Sequence, residues 1–163
     1  MADATKPSST QTTMDADAKA EVKKALLAAA RAQLRASEGG ADAEESAAEL
    51  DQDSSFSVDE QSQADEAGAV TRLFEAVSDR QQDDVVAIET LDVAPTDVVR
   101  PGAIVGFGGA RYVVGVVSTA VRCGGESYEG LSTDSPIYAE IEGLHLGDSF
   151  TFRDTKQTID FLA

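Results

Sequence analysis

Residues 38–66 read Glu38-Gly-Gly-Ala-Asp-Ala-Glu-Glu-Ser-Ala-Ala-Glu-Leu-Asp-Gln-Asp-Ser-Ser-Phe-Ser-Val-Asp-Glu-Gln-Ser-Gln-Ala-Asp-Glu66. The stretch holds eleven acids, and no Lys or Arg lies between Arg35 and Arg72. Its middle, Asp51 to Phe56, is turn-like. Ser57-Val58-Asp59-Glu60 then has the capping-box pattern, with Ser at the N-cap and Glu three residues on. Acids in a first helical turn also suit the helix dipole. A second helix is therefore expected to start at Ser57 or Val58, and helix-forming sequence lies on both sides of the turn. The reading that follows is a helical hairpin that carries its acids to and around the tip.

Working outward, Met14 to about Ser37 is rich in Ala, Leu, Lys, Arg, Glu and Gln, all good helix formers. Val22, Leu26, Ala29, Ala30 and Gln33/Leu34 give it a narrow apolar stripe at three- and four-residue steps. Gly39-Gly40 is expected to kink or stop this helix, at roughly 1 kcal/mol per glycine, with a restart at Asp42-Ala43-Glu44-Glu45 running to about Leu50. The second leg has a stripe of Val70, Leu73/Phe74, Val77, Val85, Ile88 and Leu91, close to a heptad step. The two legs, about residues 15–50 and 58–91, match in length, each on the order of 50 Å at ~1.5 Å per residue. That match predicts an antiparallel pair, a coiled-coil hairpin over 14–92. The competing reading has both helices packed on a globular core.

Residues 1–13 are rich in Ser, Thr, Ala and Asp without periodicity and read as a disordered tail. Residues 93–97, with Ala94-Pro95-Thr96-Asp97, break the helix and form a linker. From residue 98 to 163 the pattern changes to short β segments: Ala103–Phe107, a turn at Gly108-Gly109, Arg111–Ser118, a turn at Gly124-Gly125, and Tyr128–Ser132. Ser149–Arg153 and Gln157–Leu162 read as a closing hairpin across Asp154-Thr155. A short helix is expected from Ser135-Pro136, with Pro in the first turn, to Gly143. The fold class is α+β, a helical hairpin followed by a small α+β domain.

The net charge is −17. The first 94 residues hold 21 acids and eight bases, −13, and the remainder nine acids and five bases, −4. Such a surface repels nucleic-acid phosphate and anionic membrane, and suits a basic protein partner or a metal ion. No sequence-specific nucleic-acid contact and no membrane contact is expected. Cys123 is the single cysteine, so there is no intrachain disulfide. No apolar run approaches the ~20 residues of a membrane span, and no signal-type stretch opens the sequence, so a cytoplasmic monomer is the expectation.

Gly130-Leu-Ser-Thr-Asp-Ser-Pro-Ile-Tyr-Ala-Glu-Ile-Glu-Gly-Leu-His-Leu-Gly-Asp148 resembles the C-terminal domain of bacterial Gre-type transcription factors (GreA/GreB). Ser135-Pro136-Ile137 and Gly147-Asp148 match that family's pattern, while Leu144-His145 stands near the place of the family lysine. The resemblance implies an FKBP-like C-terminal domain behind an acidic-tipped hairpin. It also implies docking to RNA polymerase through the C-terminal domain, here at Ser135, Pro136 and Ile137, with the hairpin inserted into the secondary channel. The tip acids Asp51, Asp53, Asp59, Glu60 and Asp65 would then act at the polymerase active site. They would touch its Mg²⁺, which prefers oxygen ligands, with no cofactor or metal bound by this chain alone.

The stretch closest to the family's tip motif is Glu60-Gln61-Ser62-Gln63-Ala64-Asp65-Glu66-Ala67. Gln63 replaces the family glutamate and Ala67 the tyrosine, and a neutral amide is a poorer Mg²⁺ ligand. A channel-binding regulator that modulates or inhibits synthesis is therefore expected ahead of a Gre-type elongation factor that stimulates cleavage of backtracked RNA. A prolyl isomerase reading has no Trp and no aromatic pocket set to support it. An acidic scaffold for basic proteins is the remaining alternative, with binding that collapses in moderate salt. Gly106 to Gly109 lacks dinucleotide-fingerprint spacing and reads as a hairpin turn. His145, the single histidine, reads as a surface residue, and Cys123 as inert. No catalytic residue of its own is expected.

Overall fold

The structure, a computed structural model, describes residues 14–49 and 58–163; the side chains of 40–49, 58–65 and Ala67 lie outside the description. The expected tail over 1–13 and the turn at 51–56 also lie outside the described residues. Two long helices open the chain, α1 (Ala16–Glu49) and α2 (Val58–Thr90). The α2 start is where the capping box places it. The α1 helix does not stop at Gly39-Gly40. The glycine penalty of ~1 kcal/mol each is small beside the helix-forming sequence on both sides, which carries the helix through.

The helices run antiparallel where they touch. Lys19 meets Ala94, Lys23 meets Glu89 and Leu91, and Ala30 and Gln33 share a cleft with Gln81 and Asp84, so numbers rise on one helix as they fall on the other. Packing between them is uneven. Val22, Leu26, Val85, Ile88 and Leu91 are buried, but Val70, Leu73, Phe74 and Val77 are exposed. The expected α2 stripe is thus core only over its last three members. Where the buried part ends, α1 sets Gln33 beside Gln81 and Asp84, polar side chains that interrupt the apolar contact.

The remaining strands are β1 (Ile104–Phe107), β2 (Ala110–Val114), β3 (Val121–Cys123), β4 (Glu126–Leu131), β5 (Ser149–Phe152), β6 (Thr155–Thr158) and β7 (Phe161–Leu162), with helix α3 (Pro136–Ile141) between β4 and β5. Five strands form a mixed sheet in the order β3-β4-β2-β1-β7, in which β2 and β4 run parallel and the other pairs antiparallel. β5 and β6 form a separate hairpin. The expected final strand over Gln157–Leu162 is divided. Asp160 N donates to Gly106 O as the chain leaves β6, so Phe161 and Leu162 join β1 instead. The β5–β6 turn falls one residue earlier than expected, at Arg153-Asp154, where both residues have positive φ. β3 is an element that the sequence reading left out. Three residues carry too little alternation to announce a strand.

Both faces of the sheet are covered. Ala103, Val105, Phe107, Val114 and Leu131 face a core shared with α3 and the β5–β6 hairpin through Tyr138, Ile141, Phe150 and Ile159. Phe107 stacks on Tyr112 and meets Phe150 edge-on. On the other face, Ile104, Val113, Val116 and Tyr128 pack against Val22, Leu26, Ile88 and Leu91 of the hairpin. This explains why every residue of β1 is buried, where a one-sided sheet would alternate. The inner ends of α1 and α2 are one layer of the domain, and their outer lengths are not.

Candidate functional site

The hairpin's root is a knot of charge and backbone. Lys19 and Lys23 stand four residues apart on the α1 face that carries Val22 and Leu26, so both chains aim at the end of α2. Lys23 Nζ donates to Glu89 O and Leu91 O, each at 2.8 Å. These are carbonyls at the α2 C-terminus, left without helical partners and at the negative end of the dipole. Lys19 Nζ donates to Ala94 O at 3.0 Å and has no exposed surface. Burial, with repulsion from Arg100 and against a smaller opposing pull from Asp92, lowers the Lys19 ammonium to about 8. Arg31 pairs with Glu89 at the surface above them.

The segment after α2 is held as closely. Ala94 N donates to the Asp92 carboxylate, and Thr96 binds the Val98 backbone in both directions. Gly102, at φ +91°, lies against Asp92, and a Cβ there would stand 1.7 Å from the Asp92 carbonyl oxygen. Leu91 belongs to the core under the sheet. The helical pair is therefore rooted by a buried cation, two helix-end carbonyls and an apolar contact.

Beside the root is a cleft of about 30 Å³ between Ala30, Gln33, Gln81, Asp84 and the loop Val117-Ser118-Thr119. Gln81 Oε1 is buried there and finds no hydrogen-bond partner among the described residues. Burial raises the Asp84 carboxyl; Arg80 pulls it back and Asp83 adds to the rise. The volume is that of a water site and holds no small-molecule substrate.

Of the tip acids, Asp51 and Asp53 lie outside the described residues. Asp59, Glu60 and Asp65 belong to the first turns of α2, and their side chains lie outside the description. Glu49 is thirty residues on from Lys19 along α1, on the order of 45 Å at ~1.5 Å per residue. The acid-rich ends of the helices and the rooted ends are thus at opposite extremes.

Ser135, Pro136 and Ile137 open α3 on the sheet face away from the hairpin. Ser135 is the N-cap and Pro136 occupies the first turn, as expected; the Ser135 hydroxyl makes no capping bond. Ile137 packs against the core. After α3, Leu144 is half-buried, while His145 and Leu146 are exposed in a turn closed by His145 N donating to Asp148 Oδ2 at 2.8 Å. The Tyr138 hydroxyl donates to Glu142, and burial followed by that bond raises it.

Sequence reasoning brought out the acids and the α3 entry but missed Lys19 and Lys23. The available signal was a lysine three residues before Val22, on the apolar stripe itself. Among the described residues no group of His, Cys, Asp and Glu is arranged to hold a metal ion, and no helix is long and apolar enough to cross a membrane. Comparison with protein-family models, with curated proteins and with solved structures found no match for this chain.

Proposed function

We propose that this chain is a transcription regulator that binds bacterial RNA polymerase through its C-terminal domain and inserts the α1–α2 hairpin into the secondary channel. In this reading the hairpin is an antiparallel coiled coil and the C-terminal domain is FKBP-like. The observation that carries the proposal is the separation of a firmly rooted end from an acidic end. All eleven acids of residues 38–66 fall on the outer parts of α1 and α2 and the segment joining them. A long arm of this kind presents carboxylates to a distant cation or basic surface without bringing the bulk of the domain along. The resemblance of residues 130–148 to the Gre-type factors names the partner, and Ser135, Pro136 and Ile137 are the docking candidates.

The acids Asp51, Asp53, Asp59, Glu60 and Asp65 are proposed to act on the polymerase-bound Mg²⁺ or its surroundings. Because Gln63 stands where the family has a glutamate, the favoured effect is slowed or redirected synthesis, with no transcript cleavage. The experiment is a backtracked bacterial elongation complex with labelled RNA, incubated with and without the protein. Slower extension without cleavage is the expected result. Shortened, re-extendable RNA would assign a Gre-type cleavage factor. No binding and no effect would refute the polymerase reading and favour an acidic scaffold for basic proteins.

A further inference from the structure

Residues 93–97 read in sequence as a linker, and two bodies joined by a linker move relative to one another unless a large apolar interface holds them. In the structure this connector is tied down on both sides of Pro95. Leu91 is buried in one cluster with Ile104, Val113, Val116 and Tyr128 of the sheet, and Val93 packs against it. A Cβ on Gly115 would stand 3.2 Å from Leu91 Cδ1 and 3.1 Å from Pro101 Cβ, so the end of α2 lies directly on the sheet. The Asp92 carbonyl lies as closely on Gly102. Ala94 O accepts from Lys19 of α1, and Ala94 N donates to the Asp92 carboxylate. Thr96 Oγ1 accepts from Val98 N and from Arg100 Nε. Val99 N donates to Leu144 O, and Gly143 N donates to Val99 O.

These anchors belong to three separate parts of the fold: α1, the Pro101-Gly102 turn before β1, and the loop after α3. A hinge needs a few residues free to change φ and ψ. Here a rotation would break the Lys19, Thr96 or Val99 bonds, or drive the Asp92 carbonyl into Gly102. Pro95 has its φ fixed by its ring and stands between the bonded Ala94 and Thr96. We infer that the connector is a brace, and that the α1–α2 hairpin and the sheet domain move as one rigid body. Resting on the function proposed above, docking of the C-terminal domain alone then sets where the acidic end of the hairpin lies, with no search by a swinging arm.

The test is a pulsed electron-resonance distance measurement on the full chain, with spin labels at Gln82→Cys on α2 and Glu140→Cys on α3 in a Cys123→Ser background. Gln82 and Glu140 are both exposed, so the labels leave the packing alone. A single narrow distance in the free protein is the expected result, and a broad or two-peaked distribution overturns the rigid joint. Adding bacterial core RNA polymerase should leave the distance unchanged. Bound protein with a new distance overturns the rigid joint while leaving the polymerase function standing. Protein that does not bind refutes that function, and the free-protein distribution still decides the joint. Lys19→Met/Lys23→Met in the labelled chain should broaden the distribution to at least about twice its width, as a freed hinge does. A folded double variant as narrow as its parent overturns the bracing role of the root. Should that variant not fold, the parent distribution decides alone.

Discussion

The Nζ of Lys19 donates to the carbonyl of Ala94 at 3.0 Å, joining positions 75 residues apart at a point with no exposed surface. The bond closes the root of the hairpin, because Ala94 follows α2 and Lys19 opens α1. The surrounding burial makes the ammonium costly, and this gives the root a signature in pH.

Lys19 is held at about 8 in the folded chain against 10.5 for an ordinary lysine. Below pH 8 both folded and unfolded chains bind its proton, and the folded state bears the full cost of burying the charge. From pH 8 to about 10.5 the folded chain gives up the proton while the unfolded chain keeps it. The unfolded state then binds more protons, so this group's contribution to stability rises with pH. Urea denaturation of wild type and Lys19→Met across that window should show the stability difference moving in favour of wild type. A difference that stays constant with pH would contradict the buried-cation root.

Lys23 and Arg31 make ion contacts of different worth. Lys23 bonds two helix-end carbonyls, and Lys23→Met should cost about 1–3 kcal/mol by leaving them unpaired. The Arg31–Glu89 pair is half exposed, and Arg31→Ala should cost less than about 1 kcal/mol. Equal losses in denaturation midpoints would mean that the Lys23 bonds do not hold the α2 end.

Packing along α2 should divide the same way. Ile88 has no exposed surface, and Ile88→Ala should lose about 2–5 kcal/mol. Leu73 is two-thirds exposed, and Leu73→Ala should fall within about 0.5 kcal/mol of wild type. A large loss at Leu73 would show that the outer hairpin is packed after all.

Two glycines with similar backbone angles should respond differently to alanine. Gly102→Ala places a methyl group into the Asp92 carbonyl and should cost at least about 3 kcal/mol. Gly109, at φ +81°, opens onto space, so Gly109→Ala should cost only the left-handed strain of about 1–2 kcal/mol. Thermal melts of the two variants compare them directly, and similar melting points would rule out the close approach at Gly102.

Local chemistry alone was enough for much of the fold. The Ser57-Val58-Asp59-Glu60 pattern placed the start of α2 at Ser57 or Val58, and the helix begins at Val58; the signal lies within four consecutive residues. Gly108-Gly109 and Gly124-Gly125 marked two hairpin turns, since glycine adopts at no steric cost the positive φ those turns need. Ser135-Pro136 marked the start of α3 for a similarly local reason. The concentration of acids between Glu38 and Glu66 is a property of sequence, and with it the charged character of the arm.

The tertiary structure decided what depends on residues distant in the chain. The parallel pairing of β2 with β4 and the capture of Phe161 and Leu162 by β1 are non-local, and no periodicity announces them. The α2 stripe looks uniform in sequence, yet Ile88 is core and Leu73 is surface, because burial depends on what α1 and the sheet supply opposite. Lys19 reads as an ordinary helical lysine. Only the meeting of α1 with Ala94 and Arg100 makes it a buried cation, since desolvation is set by neighbours that the fold brings together.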